Sequence, residues 1–146
     1  MVVEPPFPEL SGRLSPVPPP SELVAELVLP AERFVGVARM VVAGVATRLD
    51  LPFDEVDDLQ LALESVLRVV FVAAGEATVR VSIGADALAV AIGPAGPELL
   101  ARNLREDEPW QSMDLRTLLG RLVDRVAARP GPPPAIELWV ALPPRR

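Results

Sequence analysis

The sequence contains no cysteine, no histidine and no lysine, and each absence excludes a kind of chemistry. Without cysteine there is no disulfide, no thiolate nucleophile and no cysteine-built zinc site. Without histidine there is no imidazole base, no histidine-bound metal and no phosphohistidine. Without lysine there is no P-loop lysine and no Schiff base, so all 14 basic side chains are arginines.

Positive charge and long apolar runs are also scarce. The formal net charge is −6, and no arginine cluster carries interleaved aromatic residues, so direct nucleic-acid binding is not expected. Half of the residues are hydrophobic, but no run approaches the roughly 20 apolar residues that span a bilayer. No basic leader precedes an apolar segment, so we expect no signal peptide and a cytoplasmic protein.

A proline-rich segment precedes the rest of the chain. Residues 1–20 hold seven prolines and little periodicity, which favours an extended or disordered tail outside the core. Residues 21–146 are then expected to form one domain, because this length is sufficient for a full hydrophobic core.

Hydrophobic periodicity divides this domain into strands and helices. Alternating apolar residues predict strands over Glu22–Leu29, Thr78–Ile83, Ala87–Ile92 and Ala135–Leu142. Apolar residues at helical spacing predict helices over Ala31–Arg48, Asp54–Ala74 and Met113–Ala128. Residues 93–111 are predicted to form a long loop with a helical turn at Glu98–Leu104, and loops of this length are usually functional or mobile.

This order predicts an α+β fold. We expect a two-layer α/β sandwich, with one mixed, mainly antiparallel sheet of about four strands and three helices on one face. The other face should be polar enough to meet water, and it carries Glu26, Thr78, Arg80, Ser82, Glu137 and Trp139. Packing roles are favoured for both tryptophans, Trp110 and Trp139, but Trp139 is the better candidate for an interface.

The longest predicted helix is expected to lie inside the domain. After Leu61 it is apolar almost all round, and only Glu64, Ser65 and Arg68 interrupt the apolar run. Glu64 and Arg68 are spaced i,i+4 with the acid first, which favours an ion pair. A ligand-binding Arg68 is the alternative.

The ends of this helix also carry sequence signals. Asp54 is the expected N-cap, followed by further acids in the first turns that suit the helix dipole. Gly75 is expected to end the helix, and Ser112 is expected to cap the third helix, whose N-terminus is a generic anion site.

Four segments resemble the anti-sigma-factor serine kinases of bacterial partner-switching systems, which have the histidine-kinase-like ATPase fold. The resemblance covers about residues 22–142 and is carried by LVLPAERFVGVARMVV, DEVDDLQLALES, LAVAIGPAG and LRTLLGRLVDRV. It implies an ATP pocket between the central helix, the loop after the third strand and a mobile lid. It also implies dimers that hold a sigma factor until an anti-anti-sigma protein, which the kinase can phosphorylate, releases it.

The residues that the family uses for catalysis do not align with suitable side chains here. The family's central helix supplies a glutamate base and, four residues later, an asparagine that binds Mg²⁺. These positions fall on Ser65 and Val69, or on Glu64 and Arg68 if the register shifts by one residue. Serine is a poor base, valine offers no oxygen to a metal, and a guanidinium only donates.

The nucleotide-reading loop is similarly altered. The aspartate that accepts the adenine amino group falls on Ala91, or on Ile92 in the shifted register, while Gly93 and Gly96 retain the backbone freedom of such a loop. The lid's later glycine-rich turn is also missing. The degenerate pocket positions are therefore Ser65, Arg68, Val69, Ala91, Gly93 and Gly96.

Three functions are consistent with this pattern. The first is an anti-sigma-like regulator without cofactor or kinase activity, which binds a sigma factor or an anti-anti-sigma (STAS-type) protein and forms a homodimer. The second is an active ATP- and Mg²⁺-dependent serine kinase that uses Glu64 and Arg68. The third is a small-ligand sensor whose vacated pocket is lined by Val69, Ala91 and Ile92.

Overall fold

A computed structural model describes residues 22–102 and 113–144 of the chain. The strands are β1 (Glu22–Leu29), β2 (Ala77–Ile83), β3 (Ala87–Gly93), β4 (Arg125–Arg129) and β5 (Ala135–Ala141). The helices are α1 (Val35–Arg48), α2 (Phe53–Ala74) and α3 (Leu115–Leu122), with 3₁₀ turns at Glu32–Phe34 and Pro97–Ala101. The proline-rich tail, Trp110 and Ser112 lie outside the described residues.

The strands form one antiparallel sheet in the order β1-β2-β3-β5-β4. The fold is α+β, and with its three helices it is the expected two-layer sandwich. The described sheet has five strands where about four were expected, and every neighbouring pair in it is antiparallel.

The additional strand comes from the segment predicted as a single helix, Met113–Ala128. The helix ends at Leu122, and β4 follows after two residues. The Asp124 N–H donates to the Trp139 carbonyl (3.0 Å), and the Asp124 carboxylate accepts from the Ala141 N–H (2.7 Å). These two bonds hold the chain beside β5, so pairing with β5 replaces further helical turns.

Helix α2 forms the centre of the core, as its composition predicts. Ten of its 22 residues are buried, and they contact α1, α3 and the three central strands. The largest fully buried side chains of α2 are Leu59, Leu63, Leu67 and Val66. At about 25 cal/mol per Å² of apolar surface, this burial is the main source of stability in such a fold.

The two ends of α2 gave one wrong and one confirmed prediction. Asp54 is not the N-cap, because the helix already begins at Phe53 and the capping position is Pro52, which makes no side-chain cap. The carboxylates of Asp54 and Glu55 instead lie in the first turn, where the helix dipole favours negative charge. Gly75 ends the helix with φ 77°, a conformation that glycine adopts without steric cost.

Strand β1 changes register near its start. Ala25, Leu27 and Leu29 pair with inward-facing residues of β2, but a bulge between Leu23 and Ala25 places Leu23 opposite Ser82 on the other sheet face. A strict alternation over Glu22–Leu29 would put Leu23 on the same face as Leu27 and Leu29, but the one extra residue of the bulge reverses it.

Helix α3 is capped by Asp114. The Asp114 carboxylate accepts a 2.7 Å hydrogen bond from the Thr117 N–H. The hydrogen bond from the Thr117 side chain, with the one from its backbone, holds the pKa of Asp114 below its ordinary value. The capping residue of this helix is thus Asp114, while Ser112, the expected cap, lies outside the described residues.

Candidate functional site

Ser65 and Val69 lie on the buried side of α2, within the hydrophobic core. The Ser65 side chain is only 5% exposed, and its hydroxyl donates a 2.8 Å hydrogen bond to the Leu61 carbonyl one turn earlier. Val69 is also buried and belongs to the main core cluster. The residues at these two positions do not fit a Mg²⁺ ion, because one is an alkyl group and the other already bonds the helix backbone.

Glu64 and Arg68 of α2 do not pair with each other. Glu64 makes an ion pair with Arg39 of α1 (Oε1 to Nη1, 3.3 Å), and the Arg39 carbonyl also accepts a 3.4 Å hydrogen bond from Gln60. Arg68 is exposed. The predicted Glu64–Arg68 pair was therefore wrong, since α1 packs close enough to supply a competing guanidinium.

Ala91 and Ile92 lie on opposite faces of the sheet. Ile92 is fully buried in the core beneath the helices. Ala91 pairs with Arg80 of β2 and Glu137 of β5, on the face opposite the helices. Val69, Ala91 and Ile92 therefore cannot line one pocket, and the vacated pocket predicted for a small ligand was wrong in its composition.

Of the two glycines Gly93 and Gly96, the one at the end of β3, Gly93, has a packing role. A side chain at Gly93 would begin 2.6 Å from the Pro134 carbonyl oxygen, which also accepts a hydrogen bond from the Ala95 N–H (2.9 Å). Gly93 is thus required where the chain entering β5 approaches closely. At Gly96 an added Cβ would meet only the carboxylate of Glu98, a flexible group.

A concave site lies on the sheet face away from the helices, which we call the outer face. This pocket, the outer trough, has a volume of about 510 Å³. Its floor is formed by Ala91 and Gly93, and its walls by β2 and by the turn between β4 and β5. The residues that line these walls include Thr78, Arg80, Ser82, Arg129, Pro132 and Glu137.

One wall of the outer trough contains a buried charged group. Glu137 is 7% exposed, and its carboxylate accepts two 2.7 Å hydrogen bonds from the Arg129 guanidinium. The same carboxylate accepts a hydrogen bond from the indole N–H of Trp139. Fork-to-carboxylate pairing of this kind is directional, so it fixes the geometry of this wall.

Trp139 has a packing role on the outer face. It is 5% exposed, it packs with the alanines of β3 and β5, and the Arg125 guanidinium lies 5.1 Å from its ring centroid. The outer face was expected to be polar enough to meet water, but Glu137 and Trp139 on this face are buried. Alternation gives the face on which a side chain lies, but not the neighbours that cover it.

The second arginine of the trough is held loosely. Arg80 Nε lies 3.1 Å from the Glu26 carboxylate on β1, and both side chains are about half exposed. Exposed pairs of this kind contribute about 0–1 kcal/mol, so Arg80 can exchange this partner for another acceptor at little cost.

Comparison with known proteins does not assign the chain. No protein-family model matches the sequence, and no curated protein matches it at a significant level. Within residues 22–102 and 113–144, no group of three or more potential metal ligands comes together. In the same ranges, no helix combines the length and the hydrophobicity needed to cross a membrane.

The two carboxylates beside the trough should differ strongly in their effect on stability. Glu137→Ala removes the shared acceptor of Arg129 and the buried Trp139 indole, so we expect the free energy of unfolding to fall by about 3 kcal/mol. Glu26→Ala is the matched control and should cost less than about 1 kcal/mol. Urea unfolding measures both values, and equal losses for the two variants would contradict this account of the wall.

Proposed function

We propose that the chain is an anti-sigma-factor-like regulatory protein that acts by protein–protein binding in a bacterial partner-switching system. In this proposal the protein is cytoplasmic, its nucleotide site is degenerate, and it has no kinase activity. Support comes first from the order of elements: the order expected from the resemblance is present in the described residues, with one further strand, β4.

The observation that carries the loss of catalysis is the burial of Ser65 and Val69. Both are enclosed by the apolar core, and the Ser65 hydroxyl bonds Leu61 of its own helix. A lost charge-assisted hydrogen bond costs about 1.5–3 kcal/mol. Because the metal ligand, the base and the adenine acceptor are all replaced, we infer that the fold serves protein–protein binding and not catalysis.

The alternative of an active kinase is less well supported. It requires Glu64 as the base and Arg68 on the phosphates, but Glu64 pairs with Arg39 of α1. The outward position of Arg68 also leaves the buried centre of α2 without a polar group beyond Ser65. A small-ligand sensor at Val69 and Ala91 has no support, because these residues lie on different sides of the sheet.

Helix α1 offers a surface for a protein partner. Its buried side carries Ala38, Val42 and Ala46, yet Val37 and Met40 on its exposed side are also apolar. A helix with apolar residues on both sides has one side that its own domain does not cover. We assign this exposed side of α1 to the sigma factor or the anti-anti-sigma protein.

Strand β1 offers a surface for a homodimer. It is an edge strand of the described sheet, it is eight residues long, and Val24 and Val28 are exposed. The opposite edge, β4, has five residues, begins and ends with arginine, and is followed by Pro130, all features that discourage edge pairing. The β1 edge is therefore the one suited to pairing with a second copy.

The partner prediction can be tested with the full chain as bait. From lysate of the native host, we expect recovery of a sigma factor or an anti-anti-sigma protein, identified by mass spectrometry and reconstituted with purified components. Met40→Glu should abolish the complex without changing unfolding, because Met40 is 75% exposed. Recovery of neither class of protein would remove the main support for the proposal.

The dimer prediction uses charge on the edge strand. We expect the chain to sediment as a dimer, and the double variant Val24→Lys with Val28→Lys to sediment as a monomer, since lysine on an edge strand blocks pairing. Val72→Lys, at an exposed apolar position of α2, is the matched control and should remain dimeric. A wild-type monomer, or three identical sedimentation profiles, would rule out the β1 interface.

A further inference from the structure

The outer trough has a floor of small residues. Ala91 and Gly93 lie on this floor, and the Ala135 methyl lies 3.4 Å from the point where a side chain at Gly93 would begin. Pro132 and Pro133 add apolar rings to the lining. A low apolar floor accommodates a flat apolar body, and the volume of about 510 Å³ is within the usual range of small-molecule sites.

The wall formed by β2 carries a cation between two hydroxyl groups. Thr78, Arg80 and Ser82 alternate along the strand, so their side chains lie on one face, roughly 7 Å apart along the strand. Within residues 22–102 and 113–144, neither hydroxyl makes a hydrogen bond, and Arg80 has only its exposed ion pair with Glu26. A guanidinium beside hydroxyl donors is a suitable set for the oxygens of an anion.

The charges around the trough favour a ligand with a single negative charge. Glu137 and Arg129 neutralise each other through two hydrogen bonds. Among the described lining residues, Arg80 is then the one charge whose partner, Glu26, lies outside the trough. Ala91 pairs with Arg80 on one side and with Glu137 on the other, which puts these two residues roughly 10 Å apart. The Glu137 carboxylate would therefore repel the second charge of a phosphate dianion.

We propose that the outer trough is a binding site for a small carboxylic acid with a flat apolar body. The carboxylate accepts hydrogen bonds from Arg80 and an adjacent hydroxyl, and the body lies on Ala91 and Gly93. Arg80 exchanges its exposed contact with Glu26 for the ligand, which its loose pairing permits. This site is independent of the proposed function, because it uses neither the exposed side of α1 nor the buried side of α2.

Benzoate is the probe, because it is a flat apolar ring with one carboxylate. In an NMR titration of the full chain, we expect millimolar benzoate to shift the amide signals of Ala91 and Gly93 saturably, while the signal of Met40 on α1 stays in place. Benzamide has the same shape without the charge and should bind about tenfold more weakly or not at all. Phenyl phosphate, a dianion, should also bind more weakly than benzoate.

Three variants examine the role of Arg80. Arg80→Gln removes the cation and should weaken benzoate binding at least about tenfold. Glu26→Gln removes the competing carboxylate and should tighten binding by up to about fivefold, the range of an exposed ion pair. Asp57→Asn makes the same charge change at an exposed position of α2 and should leave the dissociation constant unchanged. Urea unfolding of all three should match the wild type, since each changed residue is exposed.

Several results would overturn the proposal. They are the absence of a saturable shift, binding of benzamide equal to that of benzoate, and binding that survives Arg80→Gln. Equal tightening by Glu26→Gln and Asp57→Asn would overturn it as well, because the effect would then come from net charge. Stronger binding of phenyl phosphate would contradict the assignment of a carboxylate. None of these results bears on the recovery of a protein partner through α1, so the two proposals fail separately.

Discussion

Helix α2 is held against the sheet, with α1 and α3 packed beside it, by the removal of its apolar side chains from water. Leu59, Leu63 and Leu67 are completely buried, and each such side chain contributes about 1.5–3 kcal/mol. The inner faces of β2, β3 and β5 are correspondingly apolar, because they pack against the same helix. A single sheet with helices on one face is an arrangement that buries the apolar side chains of this helix.

The same packing restricts what the interior of α2 can do chemically. A site for Mg²⁺ and a base would put charged groups where Ser65 and Val69 now lie, and a buried charge without a partner is expensive. In this chain both positions fit the core. The Ser65 hydroxyl is hydrogen-bonded within its own helix, and Val69 contributes an apolar side chain. A polar cluster lies instead on the outer face, where the buried Glu137 carboxylate accepts hydrogen bonds from Arg129 and Trp139.

Elements with one clear hydrophobic period, helical or alternating, were predicted from the sequence. Segments whose pattern fits both a helix and a strand were not. The length and burial of α2 followed from its helical pattern, and the strands β2, β3 and β5 from their alternation. Strand β4 was missed because Val126 continues the helical stripe of α3 but equally starts an alternation with Ala128. The pocket predicted from Val69, Ala91 and Ile92 failed because neighbouring residues of a strand lie on opposite faces of the sheet.

The outer trough could not have been predicted from local patterns. It depends on the close approach of the turn before β5 to Gly93, and on the cross-strand pairing of Ala91 with Glu137. Both contacts join residues more than 40 positions apart, so no periodicity within one segment reports them. Its only sequence signals are the row of small residues in β3 and the outward polar row of β2.

The central claim is that the buried side of α2 is a packing surface and not a nucleotide site, and calorimetric titration of the full chain with ATP and Mg²⁺ tests it most directly. The account predicts no heat of binding even at millimolar nucleotide, and no difference between the wild-type chain and a folded Ser65→Ala variant. Micromolar, magnesium-dependent binding that Ser65→Ala weakens would contradict it.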